Sequence, residues 1–291
     1  MLTPAQIQFY GAQGYLGLEA VFSAAEVEEL RRVTDEFVEK SRAVTANDAV
    51  FDLEPTHTPQ QPRLRRLKDP VKQHEVYRRA LRHPKLLQMV SQLIGPGLAS
   101  NGNKLNFKLA AVGSPVEWHQ DWAFYPHTND DLLAVGIAMD DSTLENGCLM
   151  VIPGTHRGPL LDHHQDGVFI GAVTDPDFRP DHAVPITLKA GGISIHHTRT
   201  LHGSAPNRSA RTRRLLLFQY CAADAWPLLP PSSDPWATYA DSVLQGEPVN
   251  VPRLAAVPVR LPLPAAKFSG SIYENQRGLK NARYGDGSAK M

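Results

Sequence analysis

The sequence predicts a mainly β protein, a sandwich or barrel with helices packed on its outside. Three observations carry this. After residue 100, short apolar segments alternate with Gly, Pro, Asn and Asp, the rhythm of antiparallel strands and turns. Before residue 95, the apolar positions recur at helical spacing instead. The chain has 291 residues and 42% apolar content, enough for one large core or two small ones, and β barrels of this length are often single domains.

Taken in order, residues 3–13 read as a short helix stopped by Gly14, and Tyr15-Leu16-Gly17-Leu18 as a first strand. Ser23-Ala24-Ala25-Glu26 has capping-box spacing. The residues after it put Val27, Leu30, Val33, Phe37 and Val38 on roughly one face, so a helix is expected over about 24–41. Residues 42–62 are polar and contain proline, which reads as a loop. Val76 to Leu93 reads as one amphipathic helix ended by Gly95-Pro96. Strands are expected at 104–112, 132–139, 148–152, 184–188, 192–197 and 214–221. Asn146-Gly147 is a hairpin signal between two of them, and Pro153-Gly154 a turn. Residues 225–267 show no clean element. The tail beyond Ser269 reads as a lid, a subunit contact or disorder. The expected organisation is a single domain over 1–291, with a helical part to about 95, a β core over about 100–222 and an extension over about 223–291.

Composition removes several function classes. Lys plus Arg equals Asp plus Glu at 30 each, which argues against a dominant nucleic-acid or anionic-membrane surface. Cys148 and Cys221 are the two cysteines, suggesting reduced thiols in a cytoplasmic setting. No signal peptide is read at Met1-Leu2-Thr3-Pro4, and no run approaches 18 apolar residues. The expected partner is a small molecule.

Two clusters carry chemistry. One is Trp118-His119-Gln120-Asp121-Trp122, the other Leu201-His202-Gly203-Ser204 with Arg213 downstream. In His119-Gln120-Asp121 the ligand types sit at i and i+2, so an extended segment aims both at one ion and turns Gln120 aside. A third ligand must come from elsewhere; His202 is favoured, with His196 and His197 as competitors. Two imidazoles and a carboxylate suit a non-haem Fe(II) oxygenase. A lone His-x-Asp is also what a polar surface strand carries. Strand alternation puts Arg213 on one face with Leu215 and Leu217, pointing inward, while Arg214 and Leu216 point out. An inward guanidinium offers the fork that an α-keto acid needs at its far carboxylate.

The pattern resembles the phytanoyl-CoA dioxygenase family of Fe(II)/2-oxoglutarate oxygenases. The carrying stretches are WHQDWAFYPHTNDDL (118–132), STLENGCLMVIPGTHRG (142–158) and LHGSAPNRSARTRR (201–214), within a similarity over most of 3–222. The resemblance implies a double-stranded β-helix (jelly-roll, cupin-like) core. It implies Fe(II) held by His119, Asp121 and His202, with 2-oxoglutarate and O2 as cosubstrates. Arg213 would hold the distal carboxylate of 2-oxoglutarate, and Ser204 would touch the same molecule. Lys68 and Lys104 align with positions that reach the cosubstrate in relatives, and Asn106 shares the strand face of Lys104. Relatives often carry Trp where this chain has Gly136, which would open the pocket.

The implied reaction is hydroxylation of an unactivated C–H bond of a small molecule, releasing succinate and CO2. Asp121 favours this, or a desaturation or cyclisation, over halogenation, for which related enzymes replace the carboxylate by a small residue. If loop 122–131 covers the iron, then Trp122, Phe124, Tyr125 and His127 line the mouth. His156 reads as structural or near the pocket rim, and His163 and His164 as exposed rather than ligands. Two other classes compete: a Zn(II) or Mn(II) hydrolase or isomerase on a cupin-like barrel, and a non-catalytic metal-binding β protein. The first gives an inward Arg213 no role and predicts activity without oxygen; the second would bind the ion but not turn over 2-oxoglutarate.

Overall fold

A computed structural model describes residues 1–110, 113–229, 234–260 and 271–284. Residues 111–112 of the expected strand, and 230–233, 261–270 and 285–291 of the C-terminal extension, lie outside the described residues.

The N-terminal part supplies α1 (Pro4–Gln13), β1 (Tyr15–Leu18) and α2 (Ala24–Lys40). Both helices start with a reciprocal capping box, Thr3 with Gln6 and Ser23 with Glu26. Gly14 ends α1 with φ 79°, the left-handed conformation that glycine adopts freely. The segment expected to be all loop contains β2 (Phe51–Leu53), and it leads into β3 (Leu64–Lys68). Next come α3 (Pro70–Gln73), α4 (Glu75–Leu81) and α5 (Pro84–Ile94). The single helix expected over 76–93 is therefore two. Pro84 has no N–H to continue α4 and instead takes the first position of α5.

The β core contains β4 (Leu98–Lys108), β5 (Val116–His119), β6 (Leu132–Ala138), β7 (Leu149–Val151), β8 (His164–Gln165) and β9 (Val168–Phe169). It continues through β10 (Val184–Ile186), β11 (Ile193–His197), β12 (His202–Ser204) and β13 (Arg213–Ala222). The extension adds α6 (Pro235–Ser242), β14 (Val243–Gln245) and α7 (Ile272–Gln276). A helix thus stands where 225–267 promised no element; the Asp234 side chain caps it and Trp226, Trp236 and Tyr239 pack together.

An eight-stranded sheet runs β1-β11-β6-β13-β4-β3-β2, with β14 also paired to β4. A four-stranded sheet runs β10-β7-β12-β5. The pairs are antiparallel, and the two sheets face each other as a jelly roll. Asn146-Gly147 does make a turn, with Gly147 at φ 73°. It joins β6 to β7 across the two sheets, however, so it is a crossover and not a hairpin.

Alternation along β13 explains where the core and the site lie. Leu216, Phe218 and Tyr220 point to one side and join Val27, Leu30, Val33, Phe37, Tyr77, Leu86 and Val90 of the helices in the main core. Arg213, Leu215, Leu217 and Gln219 point to the other, into a cavity between the sheets. Among the described residues no helix is long and apolar enough to cross a membrane.

Candidate active site

The cavity between the sheets brings the two sequence clusters together. β5 and β12 are neighbours, and His119 and His202 are direct cross-strand partners. Their ring centroids lie 4.1 Å apart. Past the end of β5, Gln120 keeps extended backbone (φ −116°, ψ 125°) before the turn Asp121–Ala123. Asp121 therefore falls on the His119 side. Gln120 turns away, donating to the carbonyls of Pro159 (3.1 Å) and Arg199 (2.9 Å) and accepting from the Leu161 N–H.

The donor atoms of His119, Asp121 and His202 lie within 4.8 Å of one another, and all three residues are buried. Asp121 Oδ1 is 3.6 Å from His119 Nε2 and 3.9 Å from His202 Nε2. Each imidazole is oriented by its own strand: Nδ1–H donates to a carbonyl two residues back, Glu117 for His119 (2.8 Å) and Thr200 for His202 (2.9 Å). That bond fixes the tautomer and leaves the Nε2 lone pair for an ion. Burial first, then the neighbouring His119 and His196 imidazoles, push the His202 pKa well down, so the ring is neutral. Burial alone would raise the Asp121 carboxyl; the His119 and His196 imidazoles, then His202 and Lys104, outweigh it and hold it well below the usual range. A neutral His202 ring and an ionised Asp121 carboxylate are protonation states that metal binding requires. The set suits a divalent iron.

Arg213 opens β13, is 3% exposed, and lines the same cavity. Among the described residues its Nε and Nη1 have no hydrogen-bond partner. A guanidinium stays charged in any protein environment, so among the described residues this buried cation lacks an anion. Ser204 and Asn106 also line the cavity, and Asn106 Oδ1 is buried without a partner. Lys104 faces it too; burial lowers its pKa, while the Asp121 charge pulls it back up.

Several expected site residues are elsewhere. Lys68 ends β3 beyond the cavity lining, where Nζ contacts Asp52 at 2.8 Å and the Asp48 carbonyl at 2.6 Å. Those acceptors at the sheet edge draw it away. Trp122 is fully buried in a separate cluster with Ala99, Leu132 and Cys221, and its indole N–H donates to the Pro258 carbonyl. His127 is buried as well; its Nδ1–H donates to the Tyr125 carbonyl at 2.8 Å, and burial lowers its pKa to about 4. Gly136 does not open the pocket. Its would-be Cβ volume is taken by Ser194 Oγ and the δ-methyls of Leu215.

Phe124 and Tyr125 do stay close to the centre. Phe124 packs edge-on against His119 at 5.9 Å. The Tyr125 hydroxyl accepts from Gln219 Nε2 at 2.6 Å, and burial followed by the Asp121 charge raises its pKa well above normal. His163, expected to be exposed, is 1% exposed: its Nε2 accepts from the Gln120 N–H and its Nδ1–H donates to Leu161. His156 is a buried structural residue near the Gly11 carbonyl.

The sequence reading missed Lys108, Gln219, Ile272 and Tyr273, which also line the cavity. Lys108 is 1% exposed and its Nζ donates to the carbonyls of Ser204 (3.1 Å) and Ala205. The period of two in Lys104-Asn106-Lys108 carried the signal for it. Tyr273 arrives on α7, after the recognisable pattern ends, and nothing in its neighbourhood of sequence announced it. That segment is held over the site by Glu117, which accepts from the N–H groups of Arg283 and Tyr284 at 2.8 Å, and by stacking of Tyr284 on Trp118.

Comparison with known proteins shows the family. The family model for phytanoyl-CoA dioxygenase (PhyH) matches residues 10–215. The chain is 34% identical over 281 residues to a probable alpha-ketoglutarate-dependent hypophosphite dioxygenase of Stutzerimonas stutzeri, covering 94% of this chain and 97% of that one. It is 28% identical over 254 residues to the L-proline trans-4-hydroxylase of Streptomyces griseoviridis, covering 76% and 88%. In fold it is similar to EctD from S. alaskensis, solved with bound Fe, at a TM-score of 0.64 and 23% identity over 76% of this chain and 77% of that chain. The chain belongs to the phytanoyl-CoA dioxygenase family and is an iron- and 2-oxoglutarate-dependent oxygenase.

Proposed function

We propose that His119, Asp121 and His202 hold the iron, that Arg213 with Ser204 anchors 2-oxoglutarate, and that the substrate is a small oxyanion. Arg213 carries this reading: a buried guanidinium without an anion, aimed into the cavity that holds two metal-ready imidazoles and a carboxylate. A metal-dependent hydrolase or isomerase gives it no role, and a silent binder would hold the anion without turning over 2-oxoglutarate. Iron with 2-oxoglutarate supplies the oxidising power, consuming O2 and releasing succinate and CO2 as one oxygen atom passes to the substrate.

The residues do the positioning. The Arg213 fork matches a carboxylate bidentately, and Asn106 Oδ1 can accept from a hydroxyl or an ammonium. Lys104 adds a second cation close to Asp121. With 2-oxoglutarate taken up, the iron and Arg213 balance Asp121 and the dianion, and Lys104, which the Asp121 charge helps to keep protonated, leaves room for one further negative charge on the substrate. Hypophosphite, the substrate in the name of the relative from Stutzerimonas stutzeri, is such an anion, and the bond oxidised would then be P–H. A small amino acid carries an ammonium beside its carboxylate and meets the condition less fully, with oxidation at C–H.

The chain is read as one domain, because β1 from the N-terminal part joins the main sheet and α7 covers the site. Its balanced charge and two free thiols support a cytoplasmic enzyme without nucleic-acid or membrane partners.

The test is succinate release with Fe(II), 2-oxoglutarate and O2, comparing hypophosphite, L-proline and a fatty acyl-CoA. Stimulation by a small anion, lost in Asp121→Ala, supports the reading. Stimulation by the acyl-CoA alone overturns the substrate class, and unchanged turnover in Asp121→Ala overturns the metal assignment.

A further inference from the structure

The centre contains a fourth imidazole that three-residue ligation does not use. His196 on β11 pairs with Ala134, and both line the cavity. His196 is 2% exposed, and among the described residues neither ring nitrogen has a hydrogen-bond partner. Buried polar groups are seldom left so. His119 and His202 each give their Nδ1–H to a backbone carbonyl; His196 does not.

What His196 faces is the outer oxygen of Asp121. Its Nε2 is 3.6 Å from Asp121 Oδ2, while Asp121 Oδ1 faces His119 and His202. The His196 ring lies 4.3 Å from that of His202, tilted by 47°. The two oxygens of one carboxylate are thus divided, Oδ1 toward the cluster of three donors and Oδ2 toward His196. His196 itself falls outside that mutually close set. The 3.6 Å separation exceeds a hydrogen bond by a few tenths of an ångström, which a small rotation of either side chain removes.

We propose that His196 is a positioning residue that keeps Asp121 a one-oxygen ligand, by offering its Nε2–H to Oδ2. This rests on the reading that His119, Asp121 and His202 hold the iron. A carboxylate that also turned Oδ2 to the ion would occupy a position the cosubstrates need. Ligating carboxylates are commonly fixed by such outer partners. Strand alternation puts His196 on the cavity face with Ser194, whereas His197 faces away and accepts from the Arg199 N–H.

The experiment compares the full-length protein with H196F and H196Q. Co(II) affinity is measured by calorimetry, and the anaerobic Fe(II)–2-oxoglutarate absorption band is recorded. H196F should bind Co(II) about 10- to 100-fold more weakly and show a weaker band at saturating iron. H196Q, whose amide N–H can reach the same oxygen, should recover most of both. Thermal unfolding without metal reports whether each variant folds, and H196M replaces H196F if it does not. Affinity and band within twofold of the parent in a folded donor-free variant remove the positioning role and leave the three ligands standing. A parent protein that binds no metal overturns both. Without any variant, pulsed EPR of the Cu(II)-loaded parent counts the bound imidazoles. Two are expected; three would make His196 a ligand and overturn the proposal.

Discussion

A guanidinium with two unpartnered nitrogens in the interior is tolerable only if something negative arrives to meet it, and Arg213 is in that position. Truncating it to alanine should raise the apparent KM for 2-oxoglutarate by roughly 10- to 150-fold, the equivalent of about 1.5–3 kcal/mol for a charged hydrogen bond. Iron affinity should change far less. Arg213→Lys should recover only part of the loss, since an ammonium has no planar fork. Separate titrations of cosubstrate and metal check this, and an unchanged KM in Arg213→Ala would assign the anchor to Lys104 or Lys108. At this scale the sequence was informative wherever a short extended segment dictated direction. His119 and Asp121, and the line Arg213-Leu215-Leu217, follow from alternation alone. Lys68 and Trp122 were misplaced because alternation gives a face but not a reach. The Lys68 ammonium was drawn off by Asp52, and Trp122 follows the turn at Asp121–Ala123, where alternation stops.

Elements were legible in proportion to their length and the purity of their period. Helix α2 was read from its capping box and its apolar face, and β13 from its apolar run. The three-residue β2 and the split between α4 and α5 were not, since one is too short to show a period and the other keeps its apolar spacing across Pro84. The Asn146-Gly147 turn shows what a local signal leaves out: the turn was legible, and the sheet each flanking strand joins was not. Gly147 gives an element-scale prediction. Its φ of 73° suits glycine, and an added Cβ would collide with the Ala205 carbonyl oxygen, one of the two that hold Lys108 in the cavity wall. Gly147→Ala should cost more than the roughly 1–3 kcal/mol expected for backbone strain alone. Gly167→Ala is the control, having φ 78° and open space around the new methyl, so it should show the strain without the collision. Urea unfolding of both variants separates the two contributions, and equal losses would show that the collision is relieved by movement of the crossover.

The whole molecule stakes its stability on imidazoles kept neutral. His127 and His163 are each 1% exposed, and burial lowers both pKa values from 6.5 to about 4. His163 has a further reason to stay neutral, because Nε2 must accept from the Gln120 N–H, the residue between two of the proposed ligands. The sign follows from proton counting. Between pH 6.5 and 4 the unfolded chain protonates these rings and the native protein does not, so the unfolded state binds more protons and stability rises with pH. Their contribution is fully present above pH 6.5 and is lost as pH falls toward 4. A depression of this size corresponds to about 3 kcal/mol per ring, and two such rings match a large part of the 5–15 kcal/mol that typically holds a domain together. Urea unfolding at pH 7, 5.5 and 4.5 should therefore give steadily lower free energies, with the steepest fall below pH 6. His127→Gln, which keeps an N–H for the Tyr125 carbonyl but cannot titrate, should flatten that slope by roughly a third or less, because burial lowers His197 and His202 as well as His163, while leaving the KM for 2-oxoglutarate at pH 7 unchanged. A stability that is level or rising down to pH 4.5 would mean that acid reaches these rings without unfolding the sheets around them.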